Sequence, residues 1–202
     1  MPGTVLSGTT ASATGRAGMS DLITRWRRMV DDGGTAVWTA DEAQELLDTF
    51  RTDVYGHELT PAPQYVSGTT VWKVHLANFE NLETAASGTA GFRLYDANGS
   101  AISSGFTADY LRGIFTFASD QRGSARYVDA RSYDLNAAAA AGWREWMASK
   151  AQLYRFSADG ASYDRQQWFA HCGQMADYYD RLSKPSVTSL TRGDVAGFMD
   201  YA

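Results

Sequence analysis

Two hydrophobic periods divide this chain. In "DLITRWRRMV" the apolar residues Leu22, Ile23, Trp26, Met29 and Val30 recur at three- and four-residue steps. That spacing predicts an amphipathic helix, with Ser20 in the N-cap position and "DDGG" as its stop. Thr39-Ala40-Asp41-Glu42 reads as a capping box, because a glutamate three residues past the cap can reach back to the Thr39 amide. The helix it opens carries Ala43, Leu46, Leu47 and Phe50 on one face. A glycine turn between the two predicts an N-terminal helical hairpin over residues 20–62.

From about Gln64 the period shortens to two. "TTVWKVHL" sets Val71, Lys73 and His75 against Trp72, Val74 and Leu76. "GFRLYDANGSAIS" reads as a hairpin, with Phe92 and Leu94 on one arm, Asn98-Gly99 at the turn and Ile102 on the other. "YLRGIFTFA" reads as a second, turning at Gly113, and "SARYVDA" closes the set. These segments predict an antiparallel β-rich insertion over 63–131.

The helical period returns in "RSYDLNAAAAAGWREW". Asp134 is a good N-cap, and Leu135, Ala139, Trp143, Trp146 and Leu153 share one broad face of a helix running to about Phe156. After the turn "SADGAS", a helix over about Tyr163 to Ser183 carries Trp168, Cys172, Met175, Tyr179 and Leu182, and Pro185 stops it. This makes a C-terminal helical pair over 132–184. The run Ala137, Ala138, Ala139, Ala140 and Ala141 lets another helix approach closely, which makes these five residues candidates for subunit packing. The fold class is therefore α+β: a bundle of about four helices with an inserted antiparallel β-rich region.

Two flanks carry no such pattern. Residues 1–19, rich in Gly, Ser, Thr and Ala, read as a flexible arm. Residues 185–202 are too short for a core of their own yet keep Val187, Leu190, Phe198, Met199 and Tyr201 beside Arg192. They form a candidate partner-binding tail that folds on contact.

Composition narrows the function classes. The 202 residues are 44% hydrophobic and 20% charged, enough for one domain or one domain with a large insertion. No apolar run reaches the ~18 residues of a membrane span, and the N-terminus lacks the apolar stretch of a secretory signal. Cys172 is the single cysteine, which excludes an intrachain disulfide and suits a reducing compartment. A net charge of −5 argues against DNA binding by phosphate neutralisation. It is compatible with surrounding DNA without gripping it.

Catalytic signatures are sparse. His57, His75 and His171 lack metal-ligand spacing, Cys172 has no CxxC partner, and no nucleophile-elbow, P-loop or dinucleotide motif occurs. The sequence therefore assigns no catalytic residue, no cofactor and no metal. Asp31-Asp32 before Gly33-Gly34 lacks the later carboxylates of a calcium loop and reads as a solvated helix end. Asp96 and Asn98 belong to the hairpin turn. The basic cluster Arg25, Arg27 and Arg28 reads as the outer face of an amphipathic helix, or as a contact for an acidic partner or phosphate. The tripeptide Arg192-Gly193-Asp194 lacks the context of an adhesion site. Two other classes remain open: a small hydrolase using Asp, Glu or the His171-Cys172 pair, and a surface- or carbohydrate-binding module using Trp72, Phe92 and Tyr95.

Tyr133-Asp134-Leu135-Asn136, followed by the alanines and Trp143, resembles the opening of the long helix in head–tail connector (adaptor) proteins of long-tailed bacteriophages and prophages. In that family a Phe-Ser-x-Asp-Gly-x-Ser turn and a helix ending in Met-Ala-x-x-Tyr follow; here these are Phe156–Ser162 and Met175–Tyr179. The strand pair Gly113–Gly123 upstream is also similar, and the likeness spans about residues 105–183. It implies a structural virion protein without enzymatic activity. Copies of it, usually twelve, would form a homo-oligomeric ring below the portal protein in the neck between capsid and tail, assembled in the host cytoplasm. Such a ring lengthens the DNA channel, lets DNA pass without sequence-specific binding, and docks the next neck or tail component. No membrane is implied.

Overall fold

Helix α1 (Ser20–Met29) grows out of a 3₁₀ turn at Ala17–Met19. Our computed structural model describes residues 16–32, 37–84, 91–153 and 165–183. Ser20 is the first helical residue; Met19 takes the cap position, without a side-chain cap bond. The physical reason is burial. Met19 is fully buried, so the core holds the chain at that point and sets its entry into the helix. Helix α2 (Ala40–Thr49) has the expected capping box: the Glu42 amide donates to Thr39 Oγ1 at 3.2 Å, and the Thr39 amide donates to Glu42 Oε2 at 2.7 Å.

The strands begin at Arg51, well before residue 63, so the stretch expected as helical hairpin ends in sheet. They are β1 (Arg51–Glu58), β2 (Thr60–Val66), β3 (Thr69–Leu76), β4 (Phe92–Tyr95), β5 (Ala101–Ile102), β6 (Phe106–Asp109), β7 (Ile114–Phe117) and β8 (Tyr127–Tyr133). β1 has a polar sequence in which only Val54 and the half-buried His57 turn inward. It is a strand because β8 supplies its backbone partners, Arg51 opposite Tyr133 and Val54 opposite Ala130. An edge strand needs no apolar alternation when its pairing partner is already in place.

Two antiparallel sheets result, ordered β1-β8-β4-β5 and β2-β3-β7-β6. Their inner faces meet in an apolar core of Leu94, Val128 and Ala130 from the first sheet and Phe115 and Phe117 from the second. Phe92 of β4 stacks on Phe115 of β7 with ring centroids 5.4 Å apart, which ties one sheet to the other. Both expected hairpins form. Asp96 accepts the Asn98 and Ser100 amides at 2.8 Å across the first turn. At the second, Gly113 has φ +65°, and a Cβ there would sit 2.0 Å from the Phe79 carbonyl oxygen, so only glycine fits. In β3 the fully buried residue is His75, and the apolar Trp72, Val74 and Leu76 are half-buried.

Helices α3 (Leu135–Leu153) and α4 (Arg165–Leu182) complete the chain. Asp134 caps α3, accepting the Asn136 and Ala137 amides at 3.0 Å. The residues expected to extend α3 to Phe156 and to begin α4 at Tyr163 lie outside the described residues. The helical core gathers Leu22, Trp26, Val30, Leu47, Leu135, Trp143 and Cys172. Leu182, expected on the apolar face of α4, is exposed, and Ala176 is buried one turn and a half earlier.

Candidate interaction surfaces

Tyr133-Asp134-Leu135-Asn136 forms the corner where the sheets hand the chain to the helices. The Tyr133 hydroxyl reaches Glu83 Oε2 at 3.0 Å and Asp48 Oδ1 at 3.2 Å. Asp134 caps α3 and its amide donates to the Phe50 carbonyl at 3.1 Å. Leu135 is buried in the helical core. The Asn136 side chain donates to the Leu182 carbonyl at 3.1 Å, fastening the start of α3 to the end of α4.

That corner encloses an ionic cluster that sequence reading missed. Arg16 binds Asp48 with two parallel bonds of 2.7 Å and reaches the fully buried Glu83 at 3.3 Å. Arg131 reaches Glu83 from the opposite side at 3.3 Å. Glycines at 18 and 91 leave room for the Glu83 side chain: a Cβ on Gly91 would lie 2.6 Å from its Cδ, and one on Gly18 2.9 Å from its Cγ. Burial pushes the Asp48 carboxyl up, but the hydrogen bonds and charge of Arg16, with help from Tyr133 and Arg51, outweigh it and hold Asp48 below the usual carboxylate range. Burial, reinforced by the Glu83 charge, raises the Tyr133 phenol, which therefore stays a neutral donor. Arg16 falls within the expected flexible arm of 1–19, so that expectation is corrected for residues 16–19, which are tied to the core. Residues 1–15 lie outside the described residues.

The alanine run packs within the subunit. Ala138, Ala139 and Ala140 are fully buried in the isolated chain, and Ala137 and Ala141 are half-buried. Gly142 continues the close approach: a Cβ there would lie 2.8 Å from Trp26 Cζ2 and 3.1 Å from Val30 Cγ1. At Gly142 the helix pressing on α3 is α1 of the same chain, while α4 packs along α3 as its main partner. This corrects the expectation of subunit packing for the three central alanines, because an atom with no exposed surface offers nothing to a second copy. Beyond them, Trp143 donates its Nε1–H to the Met29 carbonyl at 3.1 Å and stacks on Trp146, which meets Trp38 edge-on.

The other candidates separate in space. Cys172 is buried and burial raises its thiol, while His171 is exposed with its ring edge-on to Trp143 at 5.6 Å. The two point apart and form no nucleophile–base pair. Asp32 is buried rather than solvated, accepting the Val37 and Trp38 amides at 3.3 and 3.4 Å with Arg27 3.7 Å away; the chain after α1 folds back over it. Phe92 is buried between the sheets and the Tyr95 hydroxyl donates to Asp129 at 2.9 Å, so Trp72, Phe92 and Tyr95 share no exposed platform. Among the described residues no group of three or more His, Cys, Asp or Glu could hold a metal ion. The candidate tail residues Val187, Leu190, Arg192, Phe198, Met199 and Tyr201 lie outside the described residues, as does Arg192-Gly193-Asp194.

Two exposed features among the described residues bear on contacts with other molecules. The outer half of the β2–β3 hairpin extends past β7, which pairs only with Val74–Leu76, and it carries Tyr65 at 78% and Val66 at 53% exposure. On the helical side, a cleft of about 440 Å³ runs between α2 and α3, with Trp38, Leu46 and Trp146 in its wall and Glu45 and Glu145 on its rim. No protein-family model, curated protein or solved structure matches the chain.

Among the described residues no helix is long and apolar enough to cross a membrane.

Proposed function

We propose that the protein is a head–tail connector adaptor, a ring-forming structural component of a phage neck that docks beneath a portal, lengthens the DNA channel and receives the next neck or tail component. The observation that carries this reading is the Tyr133–Asn136 corner. The four residues that open the main resembling stretch act together, tying sheet to helix, capping α3 and locking α3 to α4. The projecting β2–β3 tip supports the same reading, since a component set between two others needs a surface that stands clear of its own core. In this reading the net charge of −5 per copy gives a ring that repels the DNA backbone and lets it slide.

The test is the mass of the purified protein, alone and mixed with a portal assembly. A closed ring, or a monomer that becomes one on the portal, supports the reading. A monomer that ignores the portal under both conditions overturns it.

A further inference from the structure

The basic cluster of α1 is split by the fold. Arg27 turns inward, donating to the Trp38 carbonyl at 2.9 Å and lying 3.7 Å from Asp32. Arg25 and Arg28 stay exposed about one turn apart, Arg25 bordering a groove that also carries Glu80 and Asp109. Neither enters an ion pair among the described residues. The helix therefore presents two adjacent guanidinium groups outside any ion pair among the described residues.

A matching deficit lies in the α2–α3 cleft. Its apolar wall is Val37, Trp38, Leu46 and Trp146, and its rim carries Glu45 and Glu145. Both rim glutamates are exposed and neither is in an ion pair among the described residues. Glu42, the third carboxylate of the rim, is already committed to the Thr39 cap. An apolar wall beside free carboxylates suits an arginine, whose aliphatic stem packs on the wall while its guanidinium N–H groups bind oxygen. The volume of about 440 Å³ is that of a cleft that receives side chains rather than a whole domain.

We propose that Arg25 and Arg28 of one copy seat in the acidic, tryptophan-walled α2–α3 cleft of a second copy. The donor and the receiving residues are different sets on one chain, so each copy can give to one neighbour and receive from another. Such a heterologous contact closes into a ring when the rotation between copies allows it. This inference rests on the adaptor reading and adds to it which faces meet.

Charge exchange tests the contact without touching the core, because all four side chains are exposed. Two double variants, Arg25→Glu with Arg28→Glu and Glu45→Lys with Glu145→Lys, are compared with the parent and with the fourfold variant by light scattering at low salt. Each double variant alone should associate at least about tenfold more weakly than the parent, since like charges then face each other. The fourfold variant, and an equimolar mixture of the two double variants, should regain assembly. Added salt should weaken the parent's association. If the parent forms a ring and the double variants form it equally well, this contact is wrong and the adaptor reading stands. The contact is equally overturned if neither the fourfold variant nor the mixture recovers. A parent that stops at a closed dimer, with the charge exchange behaving as expected, keeps the contact and overturns the ring. A parent that remains monomeric with and without portal overturns both. Loss of DNA retention in the Arg25→Glu, Arg28→Glu variant with its assembly unchanged would reassign the arginines to phosphate.

Discussion

Gly142 of α3 lies directly under the indole of Trp26 of α1, so close that a Cβ on Gly142 would stand 2.8 Å from Cζ2. Trp26 is fully buried and also meets Trp38 edge-on at 5.1 Å, so its ring has nowhere to retreat. This contact sets how closely the two helices approach at Gly142. Gly142→Ala gains up to about 1 kcal/mol of helix propensity but incurs about 1–3 kcal/mol of overpacking. We expect the steric cost to win. Thermal unfolding should place Gly142→Ala below the parent and Ala139→Leu lower still. Two variants as stable as the parent would show that α1 and α3 can separate freely.

The Arg16 anchor gives a second prediction. Arg16→Ala removes two bonds to Asp48 and leaves Glu83 with Arg131 as its remaining ion-pair partner. Hydrogen bonds to charged groups contribute about 1.5–3 kcal/mol each way of counting, and Arg16 keeps 27% of its side chain exposed, so the lower part of that range is expected. Denaturant unfolding should show the loss with an unchanged slope. An unchanged midpoint would mean that residues 16–19 do not hold the fold.

Asp48 makes that contribution pH-dependent. Its native carboxyl is held below the usual value, so in the acid range the unfolded chain binds the proton first and stability rises with pH. The contribution is complete above the unfolded value of about 3.9 and disappears as pH falls through the depressed native value. Melts of the parent and Asp48→Asn should differ most above about pH 5 and converge toward strong acid. A constant gap across that range would count against the ion pair.

His75 is fully buried with its ring edge-on to Phe117 at 5.1 Å. Burial, aided by the Arg126 charge, lowers its ionisation below the ordinary imidazole value. Below about pH 6.5 the unfolded chain therefore takes up a proton that the native chain refuses, and stability falls with pH. His75→Phe should lack this part of the acid sensitivity between about pH 6.5 and 5. Equal slopes for parent and variant in that window would refute the assignment.

Tyr65 stands at 78% exposure on the hairpin tip, so Tyr65→Ala should alter stability by no more than about 0.5 kcal/mol. If the tip is a docking surface, the same variant should bind the next neck component more weakly in a pull-down from assembled particles. Full binding by Tyr65→Ala would remove the tip from the interface.

The pattern along the chain was enough for most features that depend on near neighbours, with the cap expected at Ser20 displaced to Met19. The capping box at Thr39, the Asp134 cap, the turns at Asn98-Gly99 and Gly113 and the apolar faces of the helices follow from spacings of two to four residues, where local geometry alone selects the outcome. The distant pairings were decided only by the tertiary fold. β1 is a strand because β8 lies beside it, although its own sequence is polar. Arg16 is fixed because Asp48 and Glu83, 32 and 67 residues away, converge on it. The alanine run announced a close neighbour, but not that its three central members would be buried within their own chain. Arg25, Arg27 and Arg28 read alike in sequence, yet packing turned one inward and left two outside. In each case the deciding energy comes from burial and charge between residues far apart in the chain, and such contacts have no period for a local pattern to show.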